Sequence, residues 1–210
     1  MKNLIIVLAS ALLFTGCTTT NVTNSWKDEN ASKSNLKNVM VLAMLPAKDR
    51  ALRADMENQL VADLNNKGFT AVSSYAKYGP KSFEGKTEKQ VNRELRSNNI
   101  DGVITISLLD KNQEENYTPG NVTYRPVAVR YNRFTGYYNT IYNRTINPGY
   151  YTINTSYFFE TNLYDVKTDK LLYSAQTESF DPSTTEQIGK DHSKAIVKDM
   201  QKHNVLMLGK

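Results

Sequence analysis

Asn38-Val39-Met40-Val41-Leu42-Ala43-Met44-Leu45, closed by Pro46, is a continuous apolar run. Without polar alternation, it reads as a strand buried on both faces, as in a sheet covered by helices on either side. A helix is predicted next, over Arg50 to Lys67. Leu52, Met56, Leu60 and Leu64 recur every four residues with Val61 beside them, and Gly68 follows as the stop. Phe69 to Tyr75 reads as a second strand, and Ala76 to Lys86, with Gly79-Pro80, as a loop. Thr87 and Gln90 have the spacing of a capping box opening a short helix to Asn98, with Val91 and Leu95 facing inward. Asp101 to Leu109 is a third apolar strand. Strands alternating with helices predict βαβ units and right-handed crossovers.

The pattern changes in the second half. From Tyr151 to Val166 apolar and polar residues alternate, with Tyr151, Ile153, Tyr157, Phe159 and Leu163 on one face. That is the pattern of a half-buried antiparallel strand. Asp165 to Lys170 reads as a turn and Leu171 to Phe180 as the returning strand. Asp181-Pro182-Ser183-Thr184 opens a last helix, with Glu186 and Gln187 placed for capping and Ile188, Ala195, Ile196 and Met200 as its buried stripe. The fold class predicted is α/β (α+β). It comprises a mixed sheet of about five strands in the order β-α-β-α-β-β-β-α, helices packed on it and a Tyr-rich insertion before the final hairpin.

Upstream of this domain the chain has a different purpose. Met1-Lys2-Asn3 is followed by an apolar run from Leu4 to Phe14 and then Thr15-Gly16-Cys17. A basic start, a short apolar core and small residues before a cut make a secretory signal. The core is too short to span a bilayer, which takes about 20 apolar residues. The cysteine directly after Thr-Gly resembles a bacterial lipoprotein signal, with Phe14 where that family usually carries Leu. The resemblance implies cleavage of residues 1–16 and acylation of the Cys17 thiol, palmitate included. Two or more acyl chains give stable anchoring. Cys17 is the one cysteine of the 210 residues, so no disulfide can form within the chain. Thr18 stands where inner-membrane lipoproteins commonly carry Asp, which implies the outer membrane. No acidic run of the kind linked to surface export follows, which implies the periplasmic face. Residues 17–36 read as the lipidated cysteine and a polar, flexible tether. Trp26 within it is either docked as a first short strand or exposed. Residues 37–210 read as a single α/β domain.

The order of elements resembles a domain of several envelope lipoproteins: the activators of penicillin-binding proteins, the curli-secretion lipoprotein and the N-terminal domain of the translocation protein TolB. Four places resemble a family of bacterial outer-membrane lipoproteins more closely. They are Trp26, Asn66-Lys67-Gly68 ahead of Val72-Ser73-Ser74-Tyr75, Asp101 to Ile104, and Glu160 to Asp165 with Leu171 to Tyr173. Relatives often have Trp at the position of Tyr173. The family implies a fold and no established activity.

Residues 116–150 form the insertion, and the unusual composition runs on to 159. Residues 116–159 hold nine tyrosines, seven asparagines and four arginines, without Asp, Glu or Lys. Tyr and Arg together suit a binding surface, offering rigid amphipathic area and planar donors. The candidate partner-binding residues are Arg125, Arg130, Arg133, Tyr137, Tyr138 and Arg144. Peptidoglycan or an envelope protein would be the partner, beside the membrane itself. The other readings are that these tyrosines pack on the sheet and on one another, or that the segment is disordered. The formal charge of +5 is too small to mark a nucleic-acid binder.

No catalytic residue, metal ligand or cofactor site is assigned. His192 and His203 lie on one helix about 16 Å apart at 1.5 Å per residue, too far to share an ion. His192 beside Asp191 reads as a solvated helix pair. The segment after the first strand, Leu45 to Arg50, contains no glycine and cannot cradle a phosphate. Asp110, Glu114 and Glu115 follow the third strand and read as a solvated polar turn. The function expected is a lipid-anchored, non-catalytic interaction or assembly module. The alternatives are an envelope hydrolase acting on glycan or peptide, and a subunit of an oligomeric envelope assembly.

Overall fold

A computed structural model describes residues 19–31, 36–81, 83, 85–132 and 137–205. Residues 1–16, read as a signal sequence, and Cys17 and Arg133 lie outside the described residues. The elements are β1 (Thr20–Lys27), β2 (Asn38–Met44), α1 (Arg50–Asn66), β3 (Thr70–Ser73), α2 (Ser74–Tyr78) and α3 (Glu88–Ser97). They continue with β4 (Gly102–Thr118), β5 (Asn121–Asn132), β6 (Tyr137–Asn147), β7 (Tyr150–Asp165), β8 (Lys170–Phe180) and α4 (Thr185–Lys202). A six-stranded sheet runs in the order β1-β8-β7-β4-β2-β3, and β5 with β6 forms a second sheet of two. β2 is parallel to β3 and β4, whereas β8 is antiparallel to β7 and β1. The class is mixed α/β, as expected. The chain divides into two compact units, Gln113–Thr155 and the remainder.

In the larger unit β2 is buried on both faces. Val39, Val41 and Ala43 join a core that holds Leu52, Met56, Leu60 and Leu64 of α1 and Ile188, Ile196 and Met200 of α4. Met40 points the other way, into a smaller core with Leu95, Ile100, Val103 and Val166. Each fully buried aliphatic side chain contributes about 1.5–3 kcal/mol, so the four-residue stripe on α1 accounts for much of the attachment of that helix. Gly68 ends α1 with φ +89°, and the Phe69 N–H donates back to the Leu64 carbonyl at 3.2 Å. The Thr87–Gln90 capping box is formed at the start of α3.

Four expectations need correction. Residues 20–27, read as part of a tether, form edge strand β1, with Thr20 opposite Ser179 and Lys27 opposite Tyr173. Only Thr20 of this strand is fully buried and Val22 alone packs partly against the core, so the backbone ladder is its main attachment. Trp26 therefore docks as a strand residue, opposite Ser174, while its ring stays half exposed. With β1 counted, the main sheet has six strands rather than about five. The second predicted strand stops at Ser73, because the Ser73 hydroxyl accepts the Ala76 N–H at 3.0 Å and starts α2. The third predicted strand does not end at Leu109. β4 runs to Thr118, and Asp110, Glu114 and Glu115 are exposed strand residues rather than a turn.

In the smaller unit β5 and β6 pair antiparallel from Asn121 opposite Asn147 to Asn132 opposite Tyr137. The register shifts between Pro126 and Ala128, where proline has no N–H to give the ladder. Tyr117 and Tyr151 pack with ring centroids 4.8 Å apart. A Cβ on Gly149 would stand 2.5 Å from the Tyr117 hydroxyl, so only glycine lets that ring lie where it does.

Candidate functional site

The Tyr/Arg segment is a two-stranded ribbon. Its register sets Arg125 opposite Asn143, Arg130 opposite Asn139, Arg144 opposite Tyr124, Tyr138 opposite Tyr131 and Tyr137 opposite Asn132. The register positions opposite the candidate arginines are therefore polar or aromatic residues, and no carboxylate stands opposite any of these five residues. At the described ends of the same unit, Tyr117, Val122, Ile146, Tyr150, Tyr151 and Ile153 are all exposed. Tyr151 and Ile153 were expected on the buried face of β7. They continue that face beyond the core, which is reached only at Tyr157 and Phe159. Exposed apolar residues gathered in one unit mark an interaction surface more often than the same residues scattered singly.

The larger unit offers a second concavity. The short helix α3 covers only part of one sheet face, leaving a groove of about 400 Å³. Leu42, Val103, Thr105 and Tyr164 form its floor, and Val91 and Phe83 wall it. Its rim charges are engaged: Lys86 pairs with Glu94, and Asp169 accepts from Asn92 and lies 3.6 Å from Arg96. The size suits a small apolar ligand. Asp110, Glu114 and Glu115 do not line it. Sequence reading passed over this groove, although a ten-residue helix with two inward residues cannot cover a six-stranded sheet.

Two buried polar centres were also missed, and both are structural. Glu57 is fully buried on α1. Its carboxylate accepts from the Ala43 N–H at 2.9 Å, the Tyr75 N–H at 2.7 Å and the Ser73 hydroxyl at 2.6 Å. Arg53, one turn earlier, donates to it at 3.1 Å and stacks its guanidinium 5.2 Å from the Tyr75 ring centroid. These contacts tie α1, β2, β3 and α2 together and leave the carboxylate no free lone pair for proton transfer.

His192 is the other centre, and the expectation of a solvated pair with Asp191 is corrected. The ring is completely buried, edge-on to Phe159, with Nε2 3.0 Å from the Thr161 hydroxyl and Nδ1 3.1 Å from the Thr177 hydroxyl. Burial pushes its pKa down to about 3, so the ring is neutral. Hydroxyls both donate and accept, so they satisfy a neutral imidazole in either tautomer. Asp191 points elsewhere, accepting the backbone N–H and hydroxyl of Thr19. Among the described residues no group of three His, Cys, Asp or Glu side chains could hold a metal ion. No described helix is long and apolar enough to cross a membrane.

No protein family and no curated protein matches the chain. Among solved structures it is similar to the PelC dodecamer from Paraburkholderia phytofirmans at 11% identity, covering 90% of this chain and 99% of that one, with a TM-score of 0.45. It is also similar to a lipoprotein from Neisseria meningitidis at 10% identity, covering 79% of this chain and 99% of that one, with a TM-score of 0.42. At these identities and TM-scores the likenesses say nothing of function.

Proposed function

We propose that this chain is a lipid-anchored, non-catalytic cell-envelope protein. Cys17 carries the acyl chains at the outer membrane, and the folded part faces the periplasm. The Tyr/Arg ribbon is the contact surface, with Arg125, Arg130, Arg133, Tyr137, Tyr138 and Arg144 as its recognition residues. Its partner is an envelope protein or peptidoglycan.

The observation that carries this reading is the composition of a separate compact unit. Residues 113–155 combine an arginine-bearing ribbon, free of acid from 116 onward, with exposed aromatic and aliphatic residues at its described ends. A unit serving only to pack the fold would keep its large apolar side chains covered. Arginine and tyrosine recognise planar anionic and polyhydroxylated groups by stacking and forked hydrogen bonds.

The test uses the full chain expressed in its envelope. Photo-crosslinking from Tyr137 and Tyr138 and co-sedimentation with purified sacculi are compared between the native chain and a variant with Arg125, Arg130, Arg133 and Arg144 changed to alanine. Loss of one defined crosslinked partner or of sacculus binding, with unfolding unchanged, supports the surface. Identical capture by both chains moves recognition to the larger unit. Radiolabelled palmitate incorporation that vanishes in Cys17→Ala tests the anchor separately.

A further inference from the structure

α4 carries lysines at positions 190, 194, 198 and 202, one every four residues, and all four are exposed. Residues four apart are neighbours on a helix surface, and like charges so placed repel. The row extends about 18 Å at 1.5 Å per residue. None of the four is in an ion pair among the described residues. Exposed Glu186 stands four residues before Lys190, whereas the two carboxylates further along the row are engaged inward. Asp191 holds Thr19, while Asp199 accepts from the Tyr173 hydroxyl at 2.7 Å and lies 3.2 Å from Nδ1 of His203. From Lys194 to Lys202 the helix therefore presents lysines that form no ion pair among the described residues, while Asp191 and Asp199 beside them are already engaged.

A second observation lies at the same place. Lys194, Lys198 and Lys202 line a groove of about 420 Å³ together with Asp191, Asp199 and the start of β1, Thr20, Asn21 and Val22. Thr19 is fixed at the head of that groove, its N–H and hydroxyl each 3.1 Å from Asp191. Cys17 precedes Thr19 by two residues, at most roughly 7 Å of extended chain. On the lipoprotein reading, the acyl anchor is then tethered within that length of Thr19, at the head of the groove. A basic cluster next to a lipid anchor is the arrangement that binds anionic headgroups.

We propose that Lys190, Lys194, Lys198 and Lys202 form a docking face for anionic phospholipid headgroups, holding α4 against the bilayer into which Cys17 is anchored. The proposal rests on the lipoprotein reading of Cys17. A nucleic acid or a free anion would meet the same charges, but neither would explain why the row flanks the point where the anchored chain enters the fold.

The experiment uses the mature lipidated protein in vesicles of phosphatidylcholine alone or mixed with phosphatidylglycerol. A fluorophore is placed on Gln201→Cys, beside the row, or on Ser97→Cys of α3. Quenching by a headgroup spin-labelled lipid is then read. Several-fold stronger quenching at position 201 in the anionic vesicles is expected, weakened by high salt and little changed at position 97. Changing the four lysines to glutamine abolishes the difference, and changing them to arginine keeps it. Equal quenching in both vesicle types, or a difference that survives the glutamine variant, overturns the proposal. Mass spectrometry of Cys17 separates the two readings. Without an acyl mass but with charge-dependent quenching of the added protein, the docking face stands and the anchor fails. With neither, both fail.

Discussion

The Glu57 carboxylate of α1 accepts the backbone N–H of Ala43 on β2 at 2.9 Å, fixing the helix to the strand it crosses. The same group also receives Ser73, Ser74, Tyr75 and Arg53. Replacing Glu57 with alanine removes the acceptor that these donors and the mostly buried Arg53 guanidinium share. Breaking one side of a buried pair costs about 3–5 kcal/mol. Glu57→Ala is therefore expected to lower the urea unfolding free energy by about that amount, or to prevent folding. Glu57→Gln keeps one acceptor oxygen and should cost visibly less. A loss under about 1 kcal/mol for the alanine variant would show that the cluster is solvated.

Gly189 on α4 presses against the backbone of α1. A Cβ there would lie 2.8 Å from the Asp55 carbonyl oxygen. Helix propensity alone favours Gly189→Ala by about 1 kcal/mol. Forcing two helices apart costs about 1–3 kcal/mol, and the contact is with backbone that cannot rotate away. The hydroxyls of Thr185 and Ser193 bond Asp55 and Asp63 on either side, each at 2.6 Å, and resist the separation. A net fall in thermal midpoint is expected. A rise would mean the helices move apart freely.

What the sequence revealed were the elements whose burial follows a period. β2 as a doubly buried run, the stripe on α1, the Thr87–Gln90 box and the β7–β8 hairpin all depend on local spacing or apolar pattern. β1 was hidden because an edge strand held by backbone hydrogen bonds needs no apolar side chains. The outer part of β4 was hidden because a strand exposed on both faces does not alternate. Glu57 and His192 could have been found. Glu57 stands three residues before Leu60 and seven before Leu64, and His192 midway between Ile188 and Ile196, each on an apolar stripe. A polar residue at such a position must bring its own partners, and here those partners are distant in sequence. The ribbon's composition was legible, but its strand pairing was not, since no apolar period marks it.

Tyr173 is fully buried, and its hydroxyl donates to Asp199 at 2.7 Å. Burial, then that hydrogen bond and the charge of Asp199, push its pKa far above the ordinary tyrosine range, so the phenol is always a donor. Tyr173→Phe keeps the packing and removes one hydrogen bond to a charged group. The expected cost is about 1.5–3 kcal/mol in denaturant unfolding. Because His203 lies 3.2 Å from the same carboxylate, the double variant with His203→Ala should lose more than the two single losses added. Strict additivity would show that the two donors do not share Asp199.

His192 makes the fold sensitive to mild acid. Its pKa is about 3 when folded and close to 6.5 when the chain is unfolded. Below pH 6.5 the unfolded chain takes up a proton that the folded chain refuses, so stability is fully present above 6.5 and is lost as the pH falls toward 3. The slope approaches about 1.4 kcal/mol per pH unit within that window, or about 2 kcal/mol between pH 7 and pH 5. Carboxylates add their own dependence mainly below pH 5, so in the upper part of the window the difference between the native chain and a variant lacking only this ring isolates its share. His192→Gln cannot titrate, and its amide can still meet the Thr161 and Thr177 hydroxyls. Whatever its absolute stability, its unfolding free energy should fall by about 2 kcal/mol less between pH 7 and pH 5 than that of the native chain. Parallel curves for the two chains would place the proton uptake on another group and show that the His192 site admits water.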